Sequence, residues 1–254
     1  MPEGRGTSIA SVVKAFAALS EIADRPGAMT AKDVAAAMGA PLPTTYHMLN
    51  TLVEIGALVK ASKHGFLLGP RIGALGDAYL EQGEPIMMLE PAVRELARLT
   101  GETAYLSAWR HGEIEVVATV PGSHLVRVAQ LARGTHGFAH ARASGKVMLA
   151  FARPGLRDDY LRRNPLEKLT ATTIVDPEVL AADLEAVARR GYALDLEEFA
   201  DEVSCAACPV MSSGHIVAAL TVSAPTGRFE KEFDMLIEAL GEARRMAERL
   251  IASE

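Results

Sequence analysis

Residues 35–59 read "AAAMGAPLPTTYHMLNTLVEIGALV", and two prolines, Pro41 and Pro43, stand directly ahead of a run with helical spacing. A preceding helix through Val34, Ala35 and Met38 is expected to stop at Gly39, where a positive φ carries no Cβ penalty. Proline is tolerated in the first turn of a helix because its missing N–H would be unpaired there anyway. The two prolines therefore forbid the earlier helix to continue and set where the next one begins. In that next helix Leu49, Leu52 and Val53 fall inward, while His47, Asn50 or Thr51, and Glu54 fall outward. Helix, tight turn, and a second helix with a polar leading edge form a helix-turn-helix, whose second helix enters the DNA major groove N-terminal residues first.

Upstream, Val12, Ala15, Phe16, Leu19 and Ile22 recur at helical spacing. Thr30, with Asp33 three residues on, predicts a shortened capping box for the helix that ends at Gly39. Downstream, "ALVKASKHGFLLGPR" (57–71) predicts two short strands about a turn at Ser62 to Gly65, with Lys60, Lys63 and His64 at or near the tip. Such a hairpin is a wing, placed to touch phosphate or the minor groove. Residues 70–100 read as two helices interrupted around Gly83 and Pro85, a linker and a dimer contact.

From Thr103 the pattern changes. "TAYLSAW" and "EIEVVATV" are strand-like and join at His111-Gly112. "SGKVMLAFA" and "PEVLAADLEAVARRG" predict helices; "GYALDLEEF", "VSCAACPVM" and "HIVAALTVS" predict strands, and Phe233 to Ile251 predicts a closing amphipathic helix. The expected class is α+β with a largely antiparallel sheet, divided as 1–69, a linker helix over 70–84, and 85–254.

The chain has 254 residues, 49% of them hydrophobic and 23% charged, with a net charge of −6. That balance argues against a protein that coats nucleic acid non-specifically. Residues 1–82 hold seven Lys or Arg and seven Asp or Glu, so the charge resides in the remainder. A sequence-specific binder with a small footprint works with this distribution. No apolar run approaches the roughly 20 residues of a membrane span, and residues 1–13 lack the apolar core of a signal peptide. Two cysteines, Cys205 and Cys208, are too few for a disulfide framework. The expected setting is cytoplasmic.

These pieces resemble the IclR family of bacterial transcriptional regulators over about residues 8–252. The matching segments in the first part are "SVVKAFAALSEIA", "LPTTYHMLNTLVEIGALV" and "FLLGPRIGALG". In the second they are "HARASGKVMLA", "RRGYALDLEEFADEVSCAACPV" and "VAALTVSAP". The resemblance implies a winged helix-turn-helix, a linker helix and a GAF-like domain that binds a small effector, in dimers that often pair into tetramers. Its DNA-contacting candidates here are Pro43, Thr44, Thr45, Tyr46, His47, Asn50, Lys60, Lys63 and Arg71. The family usually has a basic residue at position 47 and a lysine or similar at 42, where this chain has Leu42. Base reading is thus expected from the hydrogen-bonding groups of Thr44, Thr45, His47 and Asn50, with an A·T-leaning half-site and a shallow salt dependence.

For the effector, Ala143 and Ser144 open a helix whose unpaired N–H groups and dipole favour an anion. The resemblance adds Asp195, Cys205, Thr221 and Ser223, of which Thr221 and Ser223 alternate along one strand and face the same side. A small carboxylic acid suits this set. Arg142 stands where a small residue is more usual and offers a counter-charge. Trp109, Phe138 and Met148 serve either as an apolar wall for a longer acid or as core. No metal or other cofactor is expected. Two further readings stay open: a thiol or metal sensor using Cys205 and Cys208, with His136 and His140 nearby, and a hydrolase triad of Ser144, His140 and Asp195. The second lacks the G-x-S-x-G turn that exposes a nucleophile.

Overall fold

A computed structural model describes residues 9–25, 27–61, 65–81 and 85–252. It divides into two compact units, 1–84 and 85–254. In the first, α1 (Ala10–Ala23), α2 (Ala31–Met38) and α3 (Leu42–Glu54) enclose a core of Ala18, Ile22, Val34, Leu49, Leu52 and Phe66. The capping box forms: the Asp33 N–H donates to Thr30 Oγ1 and the Thr30 N–H to the Asp33 carboxylate. Gly39 ends α2 at φ 59°. Pro41 is the N-cap of α3 and Pro43 lies in its first turn, as the proline spacing required.

The hairpin of β2 (Leu58–Lys60) and β3 (Gly65–Leu68) pairs Lys60 with Phe66 and Leu58 with Leu68. A strand missed in the sequence, β1 (Met29–Thr30), adds to the other edge of β3 and makes a three-stranded antiparallel sheet. Two residues carry no period to recognise; only β3 makes them a strand. The wing tip, with Lys63 and His64, lies outside the described residues. α4 (Pro70–Glu81) completes this unit.

The second unit opens with a 3-10 turn (Pro85–Leu89) and α5 (Glu90–Thr100). Its sheet contains β4 (Thr103–Arg110), β5 (Glu113–Val120), β6 (Ala193–Leu196), β7 (Val203–Ser212) and β8 (His215–Pro225), in the antiparallel order β5-β4-β8-β7-β6. His111 and Gly112, at φ 50° and 79°, turn the β4–β5 hairpin, the pair of positive φ values that a two-residue type I′ loop needs.

Alternation along each strand supplies two apolar faces. Leu106, Ala206, Cys208, Leu220 and Val222 pack with Leu96 of α5 and Leu236 and Leu240 of α10 (Phe233–Ala252). On the other face Cys205, Ala207 and Ala219 pack with Val147 of α6 (Ala143–Ala150) and Leu184 of α8 (Pro177–Arg190). Two short helices were not anticipated. α7 (Pro154–Arg163) buries only Tyr160, so its sequence shows almost no apolar period. α9 (Thr226–Lys231) buries only Phe229.

Candidate DNA-reading helix and effector site

At the start of α3, Pro43, Thr44, Tyr46 and His47 are exposed, and Asn50 is half-buried one turn further on. Thr45 departs from the expectation. It is 1% exposed, and its hydroxyl donates to the Pro41 carbonyl at 3.1 Å, beside the helical bond from its own N–H at 3.0 Å. Period 3.6 puts Thr45 on the stripe with Leu49 and Leu52, so its hydroxyl tightens the first turn and takes no part in an outer face. Lys60 is exposed on the wing. Arg71 is exposed too, but its guanidinium reaches the Ile55 carbonyl at 3.5 Å. It thus lies near the C-terminal end of α3, about 16 Å along the axis from Thr44, where a cation complements the helix dipole.

In the second unit, strand register assembles residues far apart in the chain. Asp195 of β6 pairs with Cys205 of β7, which pairs with Ser223 of β8, which pairs with Thr103 of β4. One row along, on the same face, Ala207, Thr221 and Tyr105 are neighbours, and Ser107 pairs with Ala219 in the next. Asp195, Cys205, Thr221 and Ser223 therefore share one buried sheet face, with the first turn of α6 packed on it.

Each group has a specific environment. The Cys205 thiol donates to Ser223 Oγ at 3.2 Å and receives the Tyr105 hydroxyl at 3.8 Å. Asp195 Oδ1 accepts the N–H groups of Glu198 and Phe199 at 2.8 and 3.2 Å. Burial nevertheless dominates and pushes its carboxyl up to about 7. Ser144 Oγ and Thr221 Oγ1 are buried without a partner, and so are Ser107 Oγ, Trp109 Nε1, and Nε and Nη1 of Arg142. Arg142 Nη2 donates to the Ile114 carbonyl at 2.8 Å. Ser107 and the burial of Arg142 were not legible beforehand; strand parity marked only which β4 residues share a face.

Gly145 sits where a Cβ would lie 2.2 Å from the Ala139 carbonyl oxygen, so only glycine lets that backbone cross the start of α6. Behind it, Lys146 is 1% exposed. Its Nζ contacts Glu198 Oε1 at 2.6 Å and Asp183 Oδ2 at 3.0 Å. Thr170, Thr172 and Thr173 donate hydroxyls to the carbonyls of Glu197 and Glu198. The segment that supplies the Asp195 hydrogen bonds is thus held from two sides.

Two alternatives fail on geometry. Cys205 and Cys208 lie on opposite faces of β7, the first toward α6 and the second donating to the Leu240 carbonyl of α10 at 3.6 Å. Both thiols are pushed up by burial, Cys208 to about 12. Among the described residues no three His, Cys, Asp or Glu side chains gather around a point where a metal would sit. The His140 ring bonds the Glu167 carbonyl at 2.9 Å, whereas the Ser144 hydroxyl has no partner, so no triad forms. Of the apolar candidates, Met148 is core, Phe138 packs at 6.4 Å on Phe199, and Trp109 meets Tyr160 edge-on at 5.5 Å.

The IclR helix-turn-helix domain model matches residues 11–62, and the model of the bacterial transcriptional regulator IclR C-terminal domain matches residues 78–250. The chain belongs to the IclR family. Among IclR-family relatives, the HTH-type transcriptional regulator BhcR of Paracoccus denitrificans is 31% identical over 220 residues, 85% of this chain and 78% of that one. The transcriptional repressor IclR of Escherichia coli is 27% identical over 224 residues, 87% and 81% of the two chains. The crystal structure of Thermotoga maritima IclR superposes with a TM-score of 0.57 at 25% identity, covering 94% of this chain and 99% of that one. An IclR homologue of Microbacterium hydrocarbonoxydans, complexed with 4-hydroxybenzoate, shares the fold at 24% identity and a TM-score of 0.61, covering 96% and 100%. This IclR-family protein is a DNA-binding transcriptional regulator with an effector-binding C-terminal domain, from a family of regulators and not of enzymes. Among the described residues no helix is long and apolar enough to cross a membrane.

Proposed function

We propose that this protein is a cytoplasmic repressor whose grip on double-stranded operator DNA is set by a small carboxylic acid bound in its C-terminal domain. The observation that carries the reading is the start of α3, where prolines fix the helix and leave Thr44, Tyr46 and His47 in solvent while Leu49 and Leu52 are core. Thr44, His47 and Asn50 read base edges, and Lys60 and Lys63 of the wing contact phosphate. Thr45 is left out because its hydroxyl is buried.

In a homodimer, or a dimer of dimers, two such helices meet a near-palindromic operator with half-sites about 10 bp, or a multiple, apart. Residues 1–69 bind DNA, 70–84 link, and 85–254 sense. The acid occupies the face formed by Ala143, Ser144, Asp195, Cys205, Thr221 and Ser223. Buried hydroxyls of Ser144 and Thr221 without partners support that placement, and a protein of the same fold is complexed with 4-hydroxybenzoate. Binding that favours one dimer arrangement over another changes the spacing of the two α3 helices. Footprinting on DNA upstream of its neighbouring genes, followed by fluorescence-anisotropy titration with a panel of acids, tests this. A protein that protects no site, or whose operator affinity ignores every acid, is not this regulator.

A further inference from the structure

Arg142 is the largest fully buried side chain among the described residues. Arginine remains charged in proteins, and burial only draws this one down from its usual value. One of its three guanidinium nitrogens has a partner, the Ile114 carbonyl, while Nε and Nη1 have none; among the described residues no carboxylate is in ion-pair contact with it, and Asp195 acts on it only from further off. A cation taken out of water with free donors is strongly unfavourable unless an anion meets it. The unpartnered hydroxyls of Ser107, Ser144 and Thr221 and the Trp109 indole N–H are buried in the same unit. Ser107 and Thr221 lie on one sheet face in adjacent rows.

We propose that Arg142 anchors the carboxylate of a monocarboxylic acid, with the hydroxyls of Ser107, Ser144 and Thr221 taking its remaining hydrogen bonds. This rests on the acid-sensing reading above and makes it specific. Arg142 supplies one positive charge, and Asp195 on the same sheet face already acts on that cation, so a second carboxylate on the acid meets repulsion. The other buried cation of α6, Lys146, is already neutralised by Glu198 and Asp183, so a second carboxylate meets no partner.

Calorimetric titration of the full-length protein with lactate, pyruvate and propionate, with malate and succinate, with 4-hydroxybenzoate, and with the neutral lactamide decides the matter. The expected result is that at least one monocarboxylate binds. Lactamide and the dicarboxylates should bind roughly 10- to 100-fold more weakly, the range of one charge-assisted hydrogen-bonded contact. Arg142→Gln should weaken the acid by the same factor and Arg142→Lys by less. If acids bind the wild type and Arg142→Gln alike, the anchor is wrong and acid sensing survives. If no acid binds at all, both ideas fall. Should Arg142→Gln not fold, the lactate–lactamide comparison on the unaltered protein decides, and equal affinity overturns the proposal.

Discussion

The Nζ of Lys146 lies 2.6 Å from Oε1 of Glu198, joining the first half of α6 to the segment whose N–H groups hold Asp195. Lys146 also meets Asp183 of α8. Removing one partner of a buried ion pair leaves an uncompensated charge, which typically costs about 3–5 kcal/mol. Lys146→Met should therefore lower the urea midpoint strongly. Glu198→Gln should cost less, because Lys146 keeps Asp183. Equal, small losses in both variants would show that the cluster is not the clamp described.

Asp195 gives stability a definite pH dependence. Its carboxyl is pushed up to about 7, chiefly by burial, against about 3.9 in an unfolded chain. The folded protein then holds the extra proton between those values, so the contribution of Asp195 is fully present below about pH 4 and is lost as pH rises through about 7. Above about pH 8 it is constant. Denaturation of wild type and Asp195→Asn across this range should give a stability difference that moves against the wild type from pH 4 to 7 and then levels.

Within α3 the neighbours Thr44 and Thr45 separate into two roles. Thr44→Ala or His47→Ala should cost about 1–3 kcal/mol of operator affinity if each reads a base. Thr45→Val should remove the hydroxyl bond to Pro41 and about 1 kcal/mol of stability, with operator sequence preference unchanged. A shift in preferred sequence with Thr45→Val would contradict its placement in the core.

Gly145→Ala places a Cβ against the Ala139 backbone at 2.2 Å, which only backbone movement relieves. A loss of about 1–3 kcal/mol, as for overpacking, is expected, together with loss of acid binding. Thermal unfolding and calorimetry on the one variant check both.

Cys205 and Cys208 should remain thiols when folded protein meets diamide, because they face opposite sides of β7. Mass spectrometry of the treated protein should find no loss of two hydrogens. Iodoacetamide should label them appreciably only in denaturant, since burial raises both thiols well above their ordinary value.

Local chemistry dictates several features that can be read within a few residues. Thr30 with Asp33, Gly39, and Pro41 with Pro43 set the helix boundaries of the first unit, since caps, positive φ and missing N–H groups act within a few residues. His111-Gly112 set the hairpin, and alternation set which strand residues share a face. Long-range pairing controls the rest. It made Met29–Thr30 a strand, put Thr45 inside, and set Arg71 at the far end of α3. It also buried Arg142 in the unit where Ser107 and Thr221, more than 110 residues apart in sequence, lie in adjacent rows of one sheet face. Register and burial depend on partners that no short window of sequence contains, and for that reason the burial of Arg142 and the place of Ser107 emerged only in three dimensions.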